Sequence, residues 1–310
     1  MKDKPTNLPA SISARLRNQA REMQLDMELL LRRYALERLL LRISMSKHSD
    51  TFILKGAMLF ALWHDDPTRP TRDLDLLGSG ASDAAAIVST FKEICGTEVS
   101  DDGLIFDQHS LKVEVIREEQ RYGGARVTTT ANLGKTRIPI QADIGFGDAV
   151  TPAPVKADFP SLLGMETPTV LTYPRETVVA EKFEAIVSLG IANSRMKDFY
   201  DLAVLAALFE FDGQILSAAI AATFERRATP LPEGVPNGLS KLFFGDRAKQ
   251  EQWNAFTRRE ALSLEVGNLA STIETIAEFV LPAATAARSK TKFSCLWTPL
   301  GPWKTSEKPA

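Results

Sequence analysis

Cysteine and histidine are scarce in this chain. Only Cys95 and Cys295 occur, far apart and without metal-ligand spacing. That argues against a disulfide framework or a zinc site and fits a reducing cytoplasm. His48, His64 and His109 form no pattern. The chain has no G-x-x-x-x-G-K-[ST] phosphate loop and no defensible Ser/His/Asp arrangement. Long apolar runs are missing as well. None approaches the ~18 residues that mark a membrane helix, and the N-terminal MKDKPTNLPASISARLRNQ has no signal-peptide core. The expectation is a soluble, cytoplasmic protein without membrane contact. Neither sign of charge dominates: 37 basic and 39 acidic residues leave a net charge of -2. That balance does not advertise nucleic-acid binding, yet it leaves room for a local basic face. No internal repeat or low-complexity tract interrupts the chain.

What is present is a composition of 44% hydrophobic and 25% charged residues over 310 positions, enough for two domains with real cores. From Ser11 to about Met45 the pattern is helical. Leu29, Leu30, Tyr34, Leu36, Leu39, Leu40 and Ile43 give a broad apolar stripe, with arginines expected on the other side. TFILKG reads as a short buried strand, and Gly56 turns it into a helix, AMLFALW. A proline-marked loop, HDDPTRPT, leads to the strand RDLDLLG, and SDAAAIVSTFKEIC is a helix with Ser82 or Asp83 as N-cap. Three β signals follow. SLKVEVIRE places Leu111, Val113 and Val115 on a buried face, ARVTTTANL is weaker, and TRIPIQADIGFGD alternates cleanly. Beyond TYPRET the signal is helical, over about 175–190, 196–209, 212–226, 250–261 and 266–286. The tail from Ser289 has no clear period and reads as loosely ordered.

The chemistry concentrates in RPTRDLDLLG. Residues i and i+2 of a strand share a face, so Asp73 and Asp75 stand together if Leu74 and Leu76 enter the core. Asp143, on the polar side of its own strand, supplies a third carboxylate. Two like charges so close need a cation nearby. Three such groups suit Mg²⁺, which binds few carboxylates and fills its shell with phosphate oxygens and water. The bland alternative, solvated acids at a strand end, fits D-x-D alone equally well. The preceding strand, glycine turn and helix shift the balance, because backbone N–H groups at such a turn can hold phosphates.

FILKGAMLF, RPTRDLDLLG, VVAEKFEAIVSLG and SRMKDFYDL, in that order, resemble the AbiEii/AbiGii nucleotidyltransferase toxins of bacterial toxin–antitoxin and phage-defence systems. These belong to the polymerase-β-like nucleotidyltransferase superfamily, and the resemblance covers most of about residues 25–210. It implies an α/β (α+β) fold: N-terminal helices and a nucleotidyltransferase core with a mixed sheet over 1–172, then a helical domain over 173–310. The first two helices of the latter would close one side of the active-site cleft. It further implies Mg²⁺-dependent transfer of a nucleoside monophosphate from an NTP to an acceptor hydroxyl. The implied acceptor is the 3′ end of tRNA, with translation blocked as the result, and a cognate antitoxin as partner. Asp73, Asp75 and Asp143 then hold the metal.

Gly56 and Ala57 line the phosphate turn. The superfamily usually has serine where this chain has Ala57, so that contact must come from backbone or another side chain. Lys182 and Asp198 match the lysine and aspartate that the family places in its active site. Their own pattern agrees: Lys182 intrudes between Val179 and Ile186, and Asp198 lies beside Leu205 and Phe209, with Asp201 at the edge of that apolar arc. A buried ammonium needs an anion, either a phosphate or Asp198 in a purely structural pair. Lys55 and Arg69 are further candidates for phosphate contact, with ordinary charge balance as the alternative. Arg15, Arg17, Arg21, Arg32 and Arg33, and late in the chain Arg258, Arg259, Arg288, Lys290 and Lys292, could track a polynucleotide if clustered. Three other readings stay open: a small-molecule acceptor, a protein acceptor, and a non-catalytic interaction protein. The sequence leaves unread the NTP base, the acceptor, the antitoxin and the oligomeric state.

Overall fold

Asn7 and Asp26 open the first two helices of the computed structural model, which describes residues 7–64, 70–117, 123–259 and 262–305. Asn7 accepts the Ala10 N–H at 3.1 Å and starts α1 (Leu8–Glu22); Asp26 accepts from Glu28 and Leu29 and starts α2 (Met27–Met45). Such side chains replace the missing partners of a helix's first N–H groups. The single helical stretch read from the sequence is therefore two helices, broken at 23–26.

The arginines of α2 are not all on a wet face. Arg38 and Arg42 are 1% and 5% exposed. Arg42 forms a fork with Asp102, at 2.6 and 3.1 Å, and lies 4.7 Å from the Phe106 ring centroid. Arg38 pairs with its neighbour Glu37, which also accepts the Leu162 N–H at 2.9 Å. Burial raises the Glu37 pKa above its ordinary value despite the opposing charge of Arg38. These ion pairs let a helix buried on nearly every side carry charge.

The chain divides into two compact units: Met1–Gly147 with Val155–Thr172, and Asp148–Pro154 with Tyr173–Ala310. In the first unit, β1 (Phe52–Lys55) leads through a 3-10 turn (Gly56–Leu59) into the short α3 (Phe60–Trp63). β2 (Leu74–Gly78), α4 (Ala84–Cys95), β3 (Leu104–Phe106), β4 (Lys112–Arg117), β5 (Gly123–Leu133), β6 (Thr136–Phe146), β7 (Val155–Asp158) and β8 (Thr169–Thr172) follow. Asp83 caps α4 by accepting the Ala86 N–H.

The sheet runs β3-β5-β6-β2-β1-β8-β7, with β4 also paired to β5. It is mixed: β2 is parallel to β6 and antiparallel to β1, while β1 is parallel to β8. Leu54, Leu74, Leu76, Ala142 and Ile144 are buried, so the alternate residues of β1, β2 and β6 face the other way. β4 departs from expectation. Its Val115 is 60% exposed, and among the described residues β4 pairs with β5 alone.

The second unit is built on α5 (Arg175–Leu189), α6 (Met196–Leu208), β9 (Phe211–Asp212), α7 (Gly213–Arg226), α8 (Lys241–Phe244), α9 (Arg247–Arg259) and α10 (Leu269–Ser289). The tail expected to lack order instead forms β10 (Cys295–Trp297) and β11 (Trp303–Thr305), which extend β9 into a three-stranded sheet. Trp297 donates its indole N–H to the Ala206 carbonyl at 2.7 Å, and Trp303 to that of Phe279 at 3.0 Å. Rings of Phe211, Phe279, Trp297 and Trp303 pack at centroid distances of 4.9 to 6.2 Å. Aromatic burial with satisfied indoles fixes this segment. Among the described residues no helix is long and apolar enough to cross a membrane.

Candidate active site

The first unit sets five charged residues in one row across adjacent strands. Arg126 of β5 stands opposite Asp143 of β6, Asp143 opposite Asp75 of β2, and Asp75 opposite Lys55 of β1. Opposed residues share a face, and that face is the one turned away from Leu74, Leu76, Ala142 and Ile144. With Glu114 of β4 opposite Arg126, the signs along the row read minus, plus, minus, minus, plus. Asp73 lies two residues before Asp75, just ahead of β2, and the Thr71 hydroxyl is 3.3 Å from its Oδ1 and 3.1 Å from its carbonyl.

Gly56 follows Lys55 with φ of +71° and passes directly over Asp75: a Cβ built at Gly56 would lie 2.0 Å from Asp75 Oδ2. Only glycine fits both the backbone angle and the space. Ala57 is buried at the start of the turn. The helix read as AMLFALW is shorter than expected, opening as a 3-10 turn before the single turn of α3.

The Asp143 carboxylate is engaged. Arg126 Nε and Nη2 donate to its two oxygens at 2.8 and 2.7 Å, and the Gln141 amide lies 3.3 Å from both. The hydrogen bonds to Asp143, then the charges of Asp143, Asp73 and Glu114, raise the Arg126 pKa against a smaller effect of burial. Arg126 was not among the residues read from the sequence. As the side chains lie, no three His, Cys, Asp or Glu among the described residues form a group able to hold a metal ion.

Within the second unit, Lys182 of α5 contacts two carboxylates of α6, Asp198 and Asp201, each at 2.8 Å. Asp201, expected at the edge of the apolar arc, is fully buried. Two residues on, Glu184 belongs to a network around Arg227. The guanidinium reaches Glu184 at 2.8 Å, Asp148 at 3.2 Å and Glu181 at 3.4 Å, and Thr229 donates to Glu184 at 2.6 Å. Burial pulls the Arg227 pKa down, but Glu181, Asp148 and Glu184 outweigh it and the net shift is upward.

Lys55, Gly56, Ala57, Asp73, Asp75 and Asp143 thus belong to the first unit, and Lys182 and Asp198 to the second. Arg69 lies outside the described residues, as do Asp65 and Asp66. Of the basic residues suggested as an acceptor surface, Arg15 donates to the Leu163 carbonyl and Arg32 pairs with Glu28. Arg17, Arg21, Arg258, Arg259, Lys290 and Lys292 are exposed.

Residues 38–276 match the family described as nucleotidyl transferase AbiEii toxin, type IV TA system. The chain belongs to the AbiEii family. The AbiEii match takes in both the charged row and the Lys182 cluster, together with α5, α6, α7 and the start of α10. It is a family of nucleotidyltransferases acting as toxins of toxin–antitoxin systems, which implies a cognate antitoxin. Two solved structures are similar to this AbiEii chain. JHP933 from Helicobacter pylori is 14% identical, with a TM-score of 0.47, over 86% of this chain and 94% of that one. A candidate nucleotidyltransferase from H. pylori is also 14% identical, with a TM-score of 0.44, over 83% and 96%. No curated protein sequence matches the chain.

Proposed function

We propose that this AbiEii-family protein transfers a nucleoside monophosphate from an NTP to an acceptor hydroxyl at the 3′ end of tRNA in the cytoplasm, the hydroxyl oxygen bonding to the α-phosphorus as pyrophosphate leaves. Added nucleotides there would block aminoacylation and stop translation, and the cognate antitoxin would restrain the activity. The observation that carries the reading is the register of Asp75 against Asp143, with the Asp73 charge acting on Arg126 of the same row and Gly56 folded over Asp75.

The donor set fits magnesium. All its atoms are hard carboxylate oxygens, and a resident Mg²⁺ needs only one or two carboxylates when phosphates and water complete its shell. Asp73 and Asp75 would hold it, with Asp143 joining when its carboxylate is released by Arg126. Bound there, the ion would neutralise phosphate charge and lower the pKa of the attacking hydroxyl. The chain's own residues do the positioning. The N–H groups of the Gly56–Ala57 turn and the ammonium of Lys55 offer donors to phosphate oxygens. Asp143 orients the acceptor hydroxyl and accepts its proton at a carboxylate oxygen. Lys182 binds phosphate, and Asp198 orients it. Arg69 is retained as a phosphate contact on sequence grounds alone.

The test is incubation of the full chain with each labelled NTP, Mg²⁺ and total RNA, resolved on a gel. Label entering tRNA-sized bands with wild type and not with Asp73→Ala is the expected result. Label on protein, on a small molecule, or on nothing overturns the proposal.

A further inference from the structure

Arg126 stands between Glu114 and Asp143 in the charged row and holds Asp143 through a two-point fork, at 2.8 and 2.7 Å. With Gln141 also 3.3 Å from both oxygens, each oxygen of the carboxylate already accepts from protein donors. A guanidinium so placed takes a lone pair of each oxygen and sets a positive charge beside them, so it competes with a divalent ion for the carboxylate. The pair is not sealed in the core: the Arg126 side chain is 40% exposed and that of Asp143 is 22% exposed. The arginine can therefore leave without stranding a buried charge. The planar fork that matches a carboxylate also matches a phosphate.

We propose that Arg126 is a tethered counter-ion that competes with divalent cations for Asp143 in the nucleotide-free protein and passes to the triphosphate when nucleotide binds. It is a positioning and specificity residue of the site, one that keeps cation affinity low until the nucleotide arrives. This rests on the reading of Asp73, Asp75 and Asp143 as the cation-binding carboxylates.

The test is Mn²⁺ titration of the full chain without nucleotide, followed by the electron paramagnetic resonance of the free ion. Arg126→Gln binds Mn²⁺ about tenfold tighter than wild type, the equivalent of one charge-assisted hydrogen bond. Arg126→Lys, which keeps the charge but loses the fork, falls between. In an Asp143→Asn background, Arg126→Gln brings no gain. At saturating Mn²⁺, Arg126→Gln binds a non-hydrolysable NTP more weakly than wild type does. A merely structural cross-strand pair would lower the melting temperature of Arg126→Gln and leave Mn²⁺ affinity alone, and equal or weaker Mn²⁺ binding overturns the proposal. Absence of Mn²⁺ binding in every variant overturns both this inference and the cation site beneath it. If circular dichroism shows that Arg126→Gln does not fold, the wild-type chain still decides. Its Arg126 Nε–H resonance shifts on saturation with Mg²⁺, and an unmoved resonance overturns the competition.

Discussion

Replacing Gly56 with alanine puts a methyl carbon where Asp75 already lies. Its distances to Asp75 Oδ2, Cγ and Cβ would be 2.0, 2.6 and 2.7 Å. The carboxylate could swing away, but the Cβ of Asp75 is fixed by β2, so the turn itself must shift. Two effects add. A positive φ of +71° costs alanine roughly 1–2 kcal/mol, and forcing a carbon into filled space costs about 1–3 kcal/mol more. The expected loss is roughly 2–5 kcal/mol out of a domain stability on the order of 5–15 kcal/mol. Urea denaturation followed by circular dichroism measures it. A double-mutant cycle separates the two parts. With Asp75→Gly as background, the steric part vanishes and Gly56→Ala retains only the backbone part of roughly 1–2 kcal/mol. Equal losses in the two backgrounds would refute the claim that Gly56 is glycine because Asp75 lies beneath it. So would normal stability of Gly56→Ala in the wild-type background.

Lys182→Met leaves the buried carboxylates of Asp198 and Asp201 without their shared ammonium, an expected loss of about 3–5 kcal/mol in urea denaturation. Asp198→Asn loses less, since Asp201 still pairs with the lysine, and the reverse order would contradict the geometry. Burial pushes the Cys95 thiol up to about 12 from an ordinary value of 9, so maleimide at pH 8 followed by mass spectrometry labels Cys95 only in denaturant. A folded pKa above the unfolded one means that this contribution is complete below pH 9 and lost as pH climbs toward 12. Cys95→Ala therefore shows a smaller drop in stability between pH 8 and pH 10.5 than wild type, and parallel drops would contradict the burial argument.

Local pattern made part of this fold legible. The alternation in TRIPIQADIGF predicts which side of β6 enters the core, and Ile138, Ile140, Ala142 and Ile144 are all buried. The same logic places Leu74 and Leu76 inside, and Asp73, Asp75 and Asp143 on the other face. What local pattern cannot carry is long-range register. Arg42 reads as a surface arginine because its partner, Asp102, lies 60 residues away. Asp75 meets Asp143 only because β2 and β6 pair in parallel, and no turn joins those strands.

Arg126 is the instructive omission, because one signal for it was present. Gly134 and Lys135 form a two-residue loop between Leu133 and Thr136, and counting back seven positions on each strand sets Arg126 against Asp143. Two-residue hairpins fix register in this way. The tail failed for a different reason. Strands of three residues are too short to show a period, and the tryptophans that anchor them bind carbonyls of Ala206 and Phe279, distant in sequence.

The charged row explains how the sheet accepts two opposed aspartates. Carboxylates about 5 Å apart in a partly exposed setting repel by about 3 kcal/mol when the effective dielectric constant is about 20. Arg126 and Lys55 flank them and offset that repulsion inside the protein, with Glu114 a further anion beyond Arg126. Asp73 stands outside that balance, and its charge is one of those acting on Arg126. Counting Glu114 and Asp73, the face carries more negative than positive charge and offers a triphosphate no net attraction until a cation binds. On the proposed mechanism, nucleotide and metal therefore bind with positive coupling. The nucleotide draws Arg126 from Asp143, and the freed carboxylate raises metal affinity. By linkage the metal must raise nucleotide affinity by the same factor. Titrating NTP with and without Mn²⁺, and Mn²⁺ with and without NTP, measures both sides of that cycle. Independent binding of the two would leave the row as a device for sheet stability alone.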